Sequence, residues 1–461
     1  MATYYVGPGG NDGNSGTSWA NRKLTLNGVE DIPVAAGDVV YVGPGVYREV
    51  LTVDVSGSSG SPITYIGDVT GEHTDGVGGA VRITGSDNDQ AAARASCIDT
   101  NFASRSYRTF RGFWLCIGSS SLVYWSAGGN DIVFEDCVVD INTATNCLYF
   151  AECSSVTWRR CFLWGGHMGM YGIAFDSSAG QTNAGHVIEN CLFIGAERWL
   201  RSNKVGGITV RNCSFYSGNY ALRVTGALPG GYTPITVNNC IISWINTGLQ
   251  AMNVGEMVDD YHSFWECATN RTNVSVGANS VGYPALTLPP PLISGFELPR
   301  DFGKLTHWSP LRRIAGSGEA TDDLFGYTRP ATSSKKSWGA IQFQGQVRDT
   351  ATTRGGSAAS LELEDAGRTQ FIVPVSAEST TISVYVYREA NYTGTNPQMV
   401  IKQPGQADRT VTDTGSAGAW NQLTDTFTPA SNPGWVIVEL VSNSTATSGS
   451  YAVYFDDLEV S

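Results

Sequence analysis

Apolar and polar residues alternate in short runs through the middle of this chain, and one such run returns at nearly constant intervals. Its seven occurrences end on Phe113, Cys137, Cys161, Cys191, Cys213, Cys240 and, more loosely, Ser263. Subtraction gives spacings of 24, 24, 30, 22, 27 and 23 residues. Self-similar segments at intervals in the twenties are typical of a solenoid, in which each unit buries its apolar face only by stacking on its neighbours.

A second apolar run precedes the first in every unit. These runs occupy residues 122–125, 148–150, 173–175, 199–201, 222–224 and 249–251. They are too short for helices, rich in aromatic and β-branched residues, and bounded by Gly, Asn and Ser, so they are predicted to be strands. Coils of two or three short strands form a parallel β-helix, in which equivalent residues stack in columns. The five cysteines that end the repeats, Cys137, Cys161, Cys191, Cys213 and Cys240, should therefore form an inward column of free thiols.

Alternation along the second run also predicts which side chains face outward. Leu148, Phe150, Leu222 and Val224 should point inward, which leaves Tyr149, Ala174, Arg201, Arg223 and Gln250 on the outside. Stacked outward residues form a long shallow groove that suits a polymer. Tyr149, Arg201 and Gln250 are the candidate substrate-binding residues, together with Trp199 as an aromatic platform for a sugar ring.

The last part of the chain has a different pattern. Residues 344–356 are polar, and seven short alternating strands follow, at 358–363, 371–373, 381–387, 399–401, 420–423, 435–440 and 453–460. Short strands with turn spacers predict an antiparallel β-sandwich. The fold class is therefore all-β, with a parallel β-helix over 1–345 followed by a sandwich over 346–461.

Composition narrows the classes of partner and site that this chain can have. The net charge is -13 and no basic stripe appears, which argues against a nucleic-acid partner. The ten cysteines lack the CxxC pairs of a zinc site. The chain opens directly in a strand at Thr3, without a charged and then apolar leader, and no apolar run of about 18 residues appears. We therefore expect no membrane insertion, and either a removed signal peptide or release by lysis or inside a particle.

Both ends of the coil resemble a known superfamily. The opening carries Tyr-Tyr-Val-Gly-Pro-Gly-Gly-Asn-Asp-Gly from Tyr4, Gly-Asp-Val-Val-Tyr-Val from Gly37 and Ser-Pro-Ile-Thr-Tyr-Ile from Ser61. The far end carries Ser309-Pro310, Asp-Leu-Phe-Gly-Tyr-Thr-Arg-Pro over 323–330 and Trp-Gly-Ala-Ile over 338–341. These segments closely resemble the cap and closing segments of the pectate-lyase-like, right-handed parallel β-helix superfamily. The resemblance implies a short helix between the first glycine motifs, within 24–32. It implies little about function, because lyases, hydrolases and phage tailspikes share this fold.

One stretch resembles the alginate and chondroitin lyase branch of that superfamily. Ser202-Asn203-Lys204 is similar to its S-N-K motif, and Leu222-Arg223 to the L-R strand one coil later. The resemblance implies that Lys204 is the base that removes the proton α to a carboxylate, with Arg223 as acid or charge stabiliser. The alternative is that both are solvated surface cations.

The sandwich resembles jelly-roll carbohydrate-binding modules. The similarity lies in Gly-Gly-Ser-Ala-Ala-Ser-Leu over 355–361, the strand at Trp420 and the terminal Tyr-Phe-Asp-Asp-Leu-Glu-Val over 454–460. In such modules an aspartate of the last strand often holds a structural Ca²⁺, and Asp456 is the matching residue.

Three functional hypotheses remain open. The first is a phage virion surface protein (a tailspike, fibre or capsid decoration) that binds host or environmental glycans beside other virion proteins. The second is a secreted lyase that cleaves uronate-containing polysaccharides by β-elimination, and the third is a non-catalytic structural surface protein. All three predict an extracellular or virion-surface location, and tailspikes of this fold are commonly homotrimers.

Overall fold

The computed structural model describes most of the chain. The described residues are 1–32, 34–141, 146–165, 171–260, 263–265, 267–277, 322, 346–349, 354, 360–363, 368–375, 379–390, 392, 394–402, 407–429, 435–443 and 453–460. Their strands fall in two compact units, one over 3–276 and one over 346–460. The closing segment of the coil at 309–310, 323–330 and 338–341 lies outside the described residues. The predicted domain boundary, between the β-helix over 1–345 and the sandwich over 346–461, stays a prediction.

The first unit is a coil with three strand-bearing faces, and its first face is one parallel sheet of eleven strands. In order these are Thr3–Val6, Val39–Val42, Ile63–Gly67, Arg108–Arg111, Gly129–Glu135, Cys153–Arg159, His186–Glu189, Ile208–Arg211, Ile235–Asn238, Met257–Asp260 and Ser275–Val276. Each strand pairs with the equivalent strand of the neighbouring coil, for example Ile132 beside Arg108 and Phe134 beside Phe110.

The second and third faces belong to a single sheet, because two long strands run across both faces. The second face consists of Gly45–Tyr47, Val81–Thr84, Phe113–Cys116, Val138–Asp140, Phe162–Trp164, Leu192–Ile194, the first halves of Ser214–Gly226 and Ile241–Gln250, and Ser263–Trp265. The third face consists of Leu51–Thr52, Ile98–Asp99, Val123–Trp125, Asn146–Ala151, Tyr171–Gln181, Arg198–Val205, the second halves of the two long strands, and Thr269–Thr272. The predicted parallel β-helix is confirmed.

The bend between the first and second faces repeats one backbone conformation. Its residues have positive φ: Gly112 (76°), Asp136 (55°), Arg160 (52°), Asn190 (54°), Asn212 (51°) and Asn239 (55°). Gly, Asn and Asp adopt this left-handed conformation at least cost, which explains their frequency here. The next residue turns inward, and from Asp136 onward that residue is the cysteine of each repeat.

The predicted cysteine column is confirmed. Cys137, Cys161, Cys191, Cys213 and Cys240 are free and buried. In the first four, Sγ donates a hydrogen bond of 3.3 Å to the carbonyl oxygen two residues earlier. The column is continuous, since the backbone N–H of Cys213 lies 3.4 Å from the Sγ of Cys240. Burial raises the pKa of the Cys137, Cys161 and Cys191 thiols, so these side chains are neutral.

Aromatic residues stack beside this column. Phe110 and Phe134 are 5.1 Å apart between ring centroids, and Phe134 lies 4.2 Å from Trp158 with an interplanar angle of 6°. All three rings are fully buried. A helix forms near the N-terminus as the resemblance implies, but it is shorter than the predicted range, covering only Asn27–Glu30; a 3₁₀ turn covers Trp19–Asn21.

The second unit contains two antiparallel sheets around one core. One sheet has the order Gln346–Asp349, Ser360–Leu363, Val453–Val460, Thr380–Arg388 and Trp420–Phe427. The other has the order Arg368–Pro374, Trp435–Val441, Gln398–Lys402 and Arg409–Thr412. Residues of both sheets, such as Val384 and Val438, share a buried cluster, which confirms the predicted sandwich. Two strands, Gln346–Asp349 and Arg409–Thr412, were not predicted.

Candidate functional site

Equivalent residues on the third face form a row that faces outward. The pairing register of successive strands aligns Asp99, Tyr124, Tyr149, Ala174, Arg201, Arg223, Gln250 and Thr272, which we call the third-face row. The preceding residue of each strand, from Ile98 and Val123 to Leu222 and Leu249, is buried. Tyr149, Arg201, Arg223 and Gln250 are half-buried on the outer surface, as alternation predicts. Ala174 is also in the row but is fully buried.

The first two aromatic residues of the row pack against each other. The Tyr124 and Tyr149 rings have centroids 5.5 Å apart and an interplanar angle of 14°, and Phe102 packs edge-on against Tyr124 at 5.6 Å. Both tyrosines are half-buried, so part of each side chain stays exposed to solvent. Burial, together with the nearby negative charge of Asp176, raises the pKa of Tyr149, so its hydroxyl stays protonated.

Arg201 is held in place from several sides. Its guanidinium lies 5.0 Å from the centroid of the Tyr171 ring, 3.3 Å from Oδ2 of Asp176 and, through Nε, 3.2 Å from Oγ1 of Thr225. The Asn203 side chain donates a further hydrogen bond to Asp176. A guanidinium fixed by stacking and by a carboxylate presents its remaining N–H groups in a defined direction.

Arg223 occupies the next coil with much less support. Its guanidinium lies 4.8 Å from the centroid of the Tyr220 ring. Among the residues that the structure describes, none forms an ion pair or a hydrogen bond with the Arg223 side chain. Its neighbour in the register, Gln250, has a buried amide oxygen to which no described group donates.

Lys204 and Arg223 lie on neighbouring coils but not as a facing pair. Lys204 lies near the end of the third-face strand Arg198–Val205, with φ of 60° and an exposed side chain. Its Nζ lies 3.4 Å from the carbonyl oxygen of Ser178, which belongs to the preceding coil, whereas Arg223 belongs to the following coil. The predicted roles of Lys204 as base and Arg223 as acid or charge stabiliser stay predictions.

The prediction that Trp199 forms a sugar platform is wrong. The Trp199 side chain is fully buried. Its ring packs 5.3 Å from Phe193, and its indole N–H donates a 3.3 Å hydrogen bond to the carbonyl oxygen of Ser217. The reason is local: Gly172 and Ala221 occupy the equivalent positions of the neighbouring coils, and these small residues leave the interior space that the indole fills. Small residues before and after a large one were the available sequence signal.

Sequence reasoning missed a second outward row, three residues before the first. It contains Tyr171, Arg198, Tyr220, Thr247 and Thr269. Arg198 donates a 2.9 Å hydrogen bond to the Tyr171 hydroxyl and pairs with Glu197 at 3.1 Å. Period-two alternation from the first row would place these residues inside, because the offset is odd; two successive buried residues, such as Trp199 and Leu200, separate the two rows.

The other two faces present different chemistry. The outward residues of the first face form one column of Thr and Val, such as Thr109, Val133 and Thr157, and a second column in which charges alternate. In that second column Arg111 pairs with Glu135 at 2.6 Å, and Glu135 with Arg159 at 2.7 Å. The residues at the outward register positions of the second face are largely apolar; Val138 and Phe162 are half-buried, and Leu192 and Ile241 are fully buried.

Asp456 of the sandwich is buried, and its carboxylate already has partners. It accepts hydrogen bonds from the backbone N–H groups of Arg354 (3.0 Å) and Asp457 (2.9 Å). Within the described ranges, no group of three or more His, Cys, Asp or Glu side chains could hold a metal ion. A calcium shell needs six to eight oxygen ligands, and the predicted role of Asp456 in such a shell stays a prediction. On the same sheet, Tyr387 packs against Trp420 at 5.5 Å and Tyr454 at 6.0 Å.

The solved structures named below share less than a fifth of their residues with this chain. No protein-family model and no curated protein matches the chain. A rhamnogalacturonan lyase structure is 18% identical, covers 67% of this chain and 97% of its own, and has a TM-score of 0.45. A pectate lyase structure is 16% identical, covers 74% of this chain and 96% of its own, with a TM-score of 0.40. A xylan-binding domain from Paenibacillus barcinonensis is 16% identical, covers 25% of this chain and 78% of its own, and has a TM-score of 0.20. The fold expected from the resemblance is confirmed by the chain's own strand pairing.

No helix in the described part of the chain is long and apolar enough to cross a membrane.

Proposed function

We propose that this chain binds an extended glycan along the third face of its β-helix. The observation that carries the proposal is the third-face row itself, in which tyrosine hydroxyls, guanidinium groups and an amide follow one another coil by coil. Neighbouring parallel strands repeat at about 4.8 Å, close to the repeat of sugar rings in an extended chain. Each ring therefore meets a new set of hydrogen-bonding groups.

The contrast between the faces supports this choice of surface. Charged groups on the first face are paired with each other, and the second face offers mainly apolar side chains. Sugar hydroxyls need partners that both donate and accept hydrogen bonds. On the third face, Tyr149 and Gln250 can both donate and accept hydrogen bonds, and Arg223 adds donors.

A binding assay with matched tyrosine variants tests the proposal. Affinities of the wild-type chain for a panel of soluble bacterial polysaccharides would be measured by titration calorimetry. Tyr149→Ala should weaken binding about tenfold, because it removes a hydroxyl and part of the groove wall. Tyr41→Ala is the control, since Tyr41 is an equally half-buried tyrosine on the first face. Equal affinities of both variants for every bound polysaccharide would contradict the proposal.

A lyase remains the second candidate, because two arginines lie side by side on adjacent coils of the third face. Arg201 and Arg223 are register partners, and neighbouring cations stabilise the enolate-like charge that forms when a proton leaves the carbon next to a carboxylate. The test is the rise of ultraviolet absorbance from the unsaturated product of uronate-containing polymers. If activity is present, Lys204→Ala and Arg223→Ala should each abolish it; full activity in both variants would refute these roles.

We further propose that the chain acts outside the cell, on a virion surface as a tailspike, fibre or capsid decoration. The support is a protease-resistant type of shaft, a glycan-binding face and a sandwich that resembles carbohydrate-binding modules. Mass spectrometry of purified phage particles would detect the chain there, and light scattering should give the mass of a homotrimer. If the chain is absent from every particle preparation and light scattering gives the mass of a monomer, a secreted enzyme or a structural surface protein would be favoured instead.

A further inference from the structure

One half-buried cation of the third-face row lacks an internal counter-charge. In the part of the chain that the structure describes, the Arg223 guanidinium touches the Tyr220 ring but neither a carboxylate nor any other hydrogen-bond acceptor. Partial burial without such partners is unfavourable for a guanidinium, because lost hydration is not replaced. An anionic ligand would supply the missing partner.

The neighbouring cations do not share this property. Arg201 is paired with Asp176 at 3.3 Å, and Arg198 is paired with Glu197 at 3.1 Å. Each of these pairs contributes no net charge. Within the described residues of the row and of the outward row beside it, Arg223 is therefore the one uncompensated positive charge.

The group next to Arg223 adds a complementary requirement. Gln250 is its register partner on the following coil, and the Gln250 amide oxygen is buried without a donor from the described residues. Arg223 donates hydrogen bonds only, while the Gln250 oxygen accepts one. Together they suit a ligand that carries an anionic group beside a hydroxyl, which is the arrangement found in an acidic sugar.

The rest of the row disfavours a ligand charged at every sugar. Tyr149, Gln250 and Thr272 are neutral, and the row begins with the carboxylate of Asp99. A glycan with one carboxylate on each ring would place a negative charge opposite each coil. Like charges would then meet at Asp99, and most carboxylates would meet no cation.

We infer that the third face selects a glycan that carries a single anionic group within an otherwise neutral repeat, with that group on Arg223 and an adjacent hydroxyl on Gln250. This inference rests on the proposed glycan binding and specifies its substrate class. The anionic group can be a carboxylate or a sulfate ester, because both accept paired N–H groups from a guanidinium.

Binding measurements with polymers of graded charge test the inference. The probes are deacylated gellan, whose repeat has one glucuronate; its carboxyl-reduced neutral form; polygalacturonate, charged on every ring; and κ-carrageenan, with one sulfate in each repeat. Gellan or κ-carrageenan should bind wild-type protein at least tenfold more tightly than the reduced polymer. Polygalacturonate should bind no more tightly than the better of those two, and comparing them distinguishes carboxylate from sulfate.

Two variants assign the effect to its residue. Arg223→Gln should remove the preference for the charged polymer, so that its affinities for gellan and for the reduced polymer become equal. Arg111→Gln is the matched control, because it removes the same charge from the first face, where the side chain is 45% exposed. It should retain the preference.

The possible failures are distinguishable. Tightest binding to polygalacturonate, equal binding to gellan, κ-carrageenan and the reduced polymer, or a preference that survives Arg223→Gln would overturn the inference while glycan binding stands. Failure of the wild-type chain to bind any probe, the neutral polymer included, would overturn the proposed function as well.

Discussion

A histidine inside the coil should make the stability of this protein depend on pH in a predictable way. His186 is buried, and its Nδ1 accepts a 3.1 Å hydrogen bond from the backbone N–H of Val156. Its ring stacks on Phe175 at 4.0 Å. Nδ1 can accept only when it carries no proton, so the native state requires the neutral imidazole. Burial lowers the pKa of His186 to about 3.

The sign of the effect follows from the difference between the folded and unfolded states. An unfolded histidine has a pKa of about 6.5, so the unfolded chain binds a proton below that pH and the native chain does not until about pH 3. The free energy of unfolding should therefore fall as the pH drops through this window, by about 1.4 kcal/mol per pH unit. Between pH 6.5, where half of the unfolded chains already carry the proton, and pH 4.5, the loss from this one residue is about 2 kcal/mol.

Replacing the residue isolates its contribution. His186→Phe should destabilise the protein at pH 8 by about 1–3 kcal/mol, because the Val156 N–H loses its acceptor. The same variant cannot bind the proton, so its disadvantage should shrink by about 2 kcal/mol between pH 6.5 and 4.5. Other titrating groups act equally on both proteins, so they cancel in the difference.

Urea unfolding followed by tryptophan fluorescence, at pH values from 8 to 4.5, would measure this difference. His73→Gln is the control, because His73 is exposed, and it should follow the wild-type curve. A constant difference between His186→Phe and wild type across the whole range would refute a buried neutral imidazole at this position.

Three further predictions concern the coil. Glu135→Gln should lower the free energy of unfolding by about 3 kcal/mol in urea titrations, because the nearly buried carboxylate pairs with three arginines; an unchanged midpoint would show that the network is dispensable. In the same assay, Leu222→Ala should lower the free energy of unfolding by about 2–5 kcal/mol, because it leaves a cavity in the core. Tyr124→Ala on the outer surface should lower it by less. Equal losses would argue against Leu222 facing inward and Tyr124 outward. The buried thiols of Cys137, Cys161, Cys191, Cys213 and Cys240 should react with a thiol reagent only after denaturation, and rapid labelling of these residues in the native protein would contradict the closed column.

The columns of the coil could be predicted because one physical rule governs them. A repeat places equivalent residues above one another, so spacing alone located the column of Cys137, Cys161, Cys191, Cys213 and Cys240. Alternation then assigned Tyr149, Arg201 and Gln250 to the outer surface.

Other features depend on space between coils or on sheet edges, which a single repeat does not show. Trp199 is inside because Gly172 and Ala221 make room for it. Gln346–Asp349 and Arg409–Thr412 lie at sheet edges, where a strand has one neighbour and needs few apolar residues. The pairing of Arg201 with Asp176, which leaves Arg223 as the uncompensated cation, depends on distances between coils.

Hydroxyl-radical footprinting of the chain with and without a bound polysaccharide tests the central claim most directly. Tyrosine is readily oxidised, and half-buried tyrosines lie on both the third and the first face. Binding along the third-face row should protect Tyr124, Tyr149 and Tyr220 while leaving Tyr5 and Tyr41 as reactive as before. Protection of Tyr5 and Tyr41, with the three third-face tyrosines unchanged, would contradict the account.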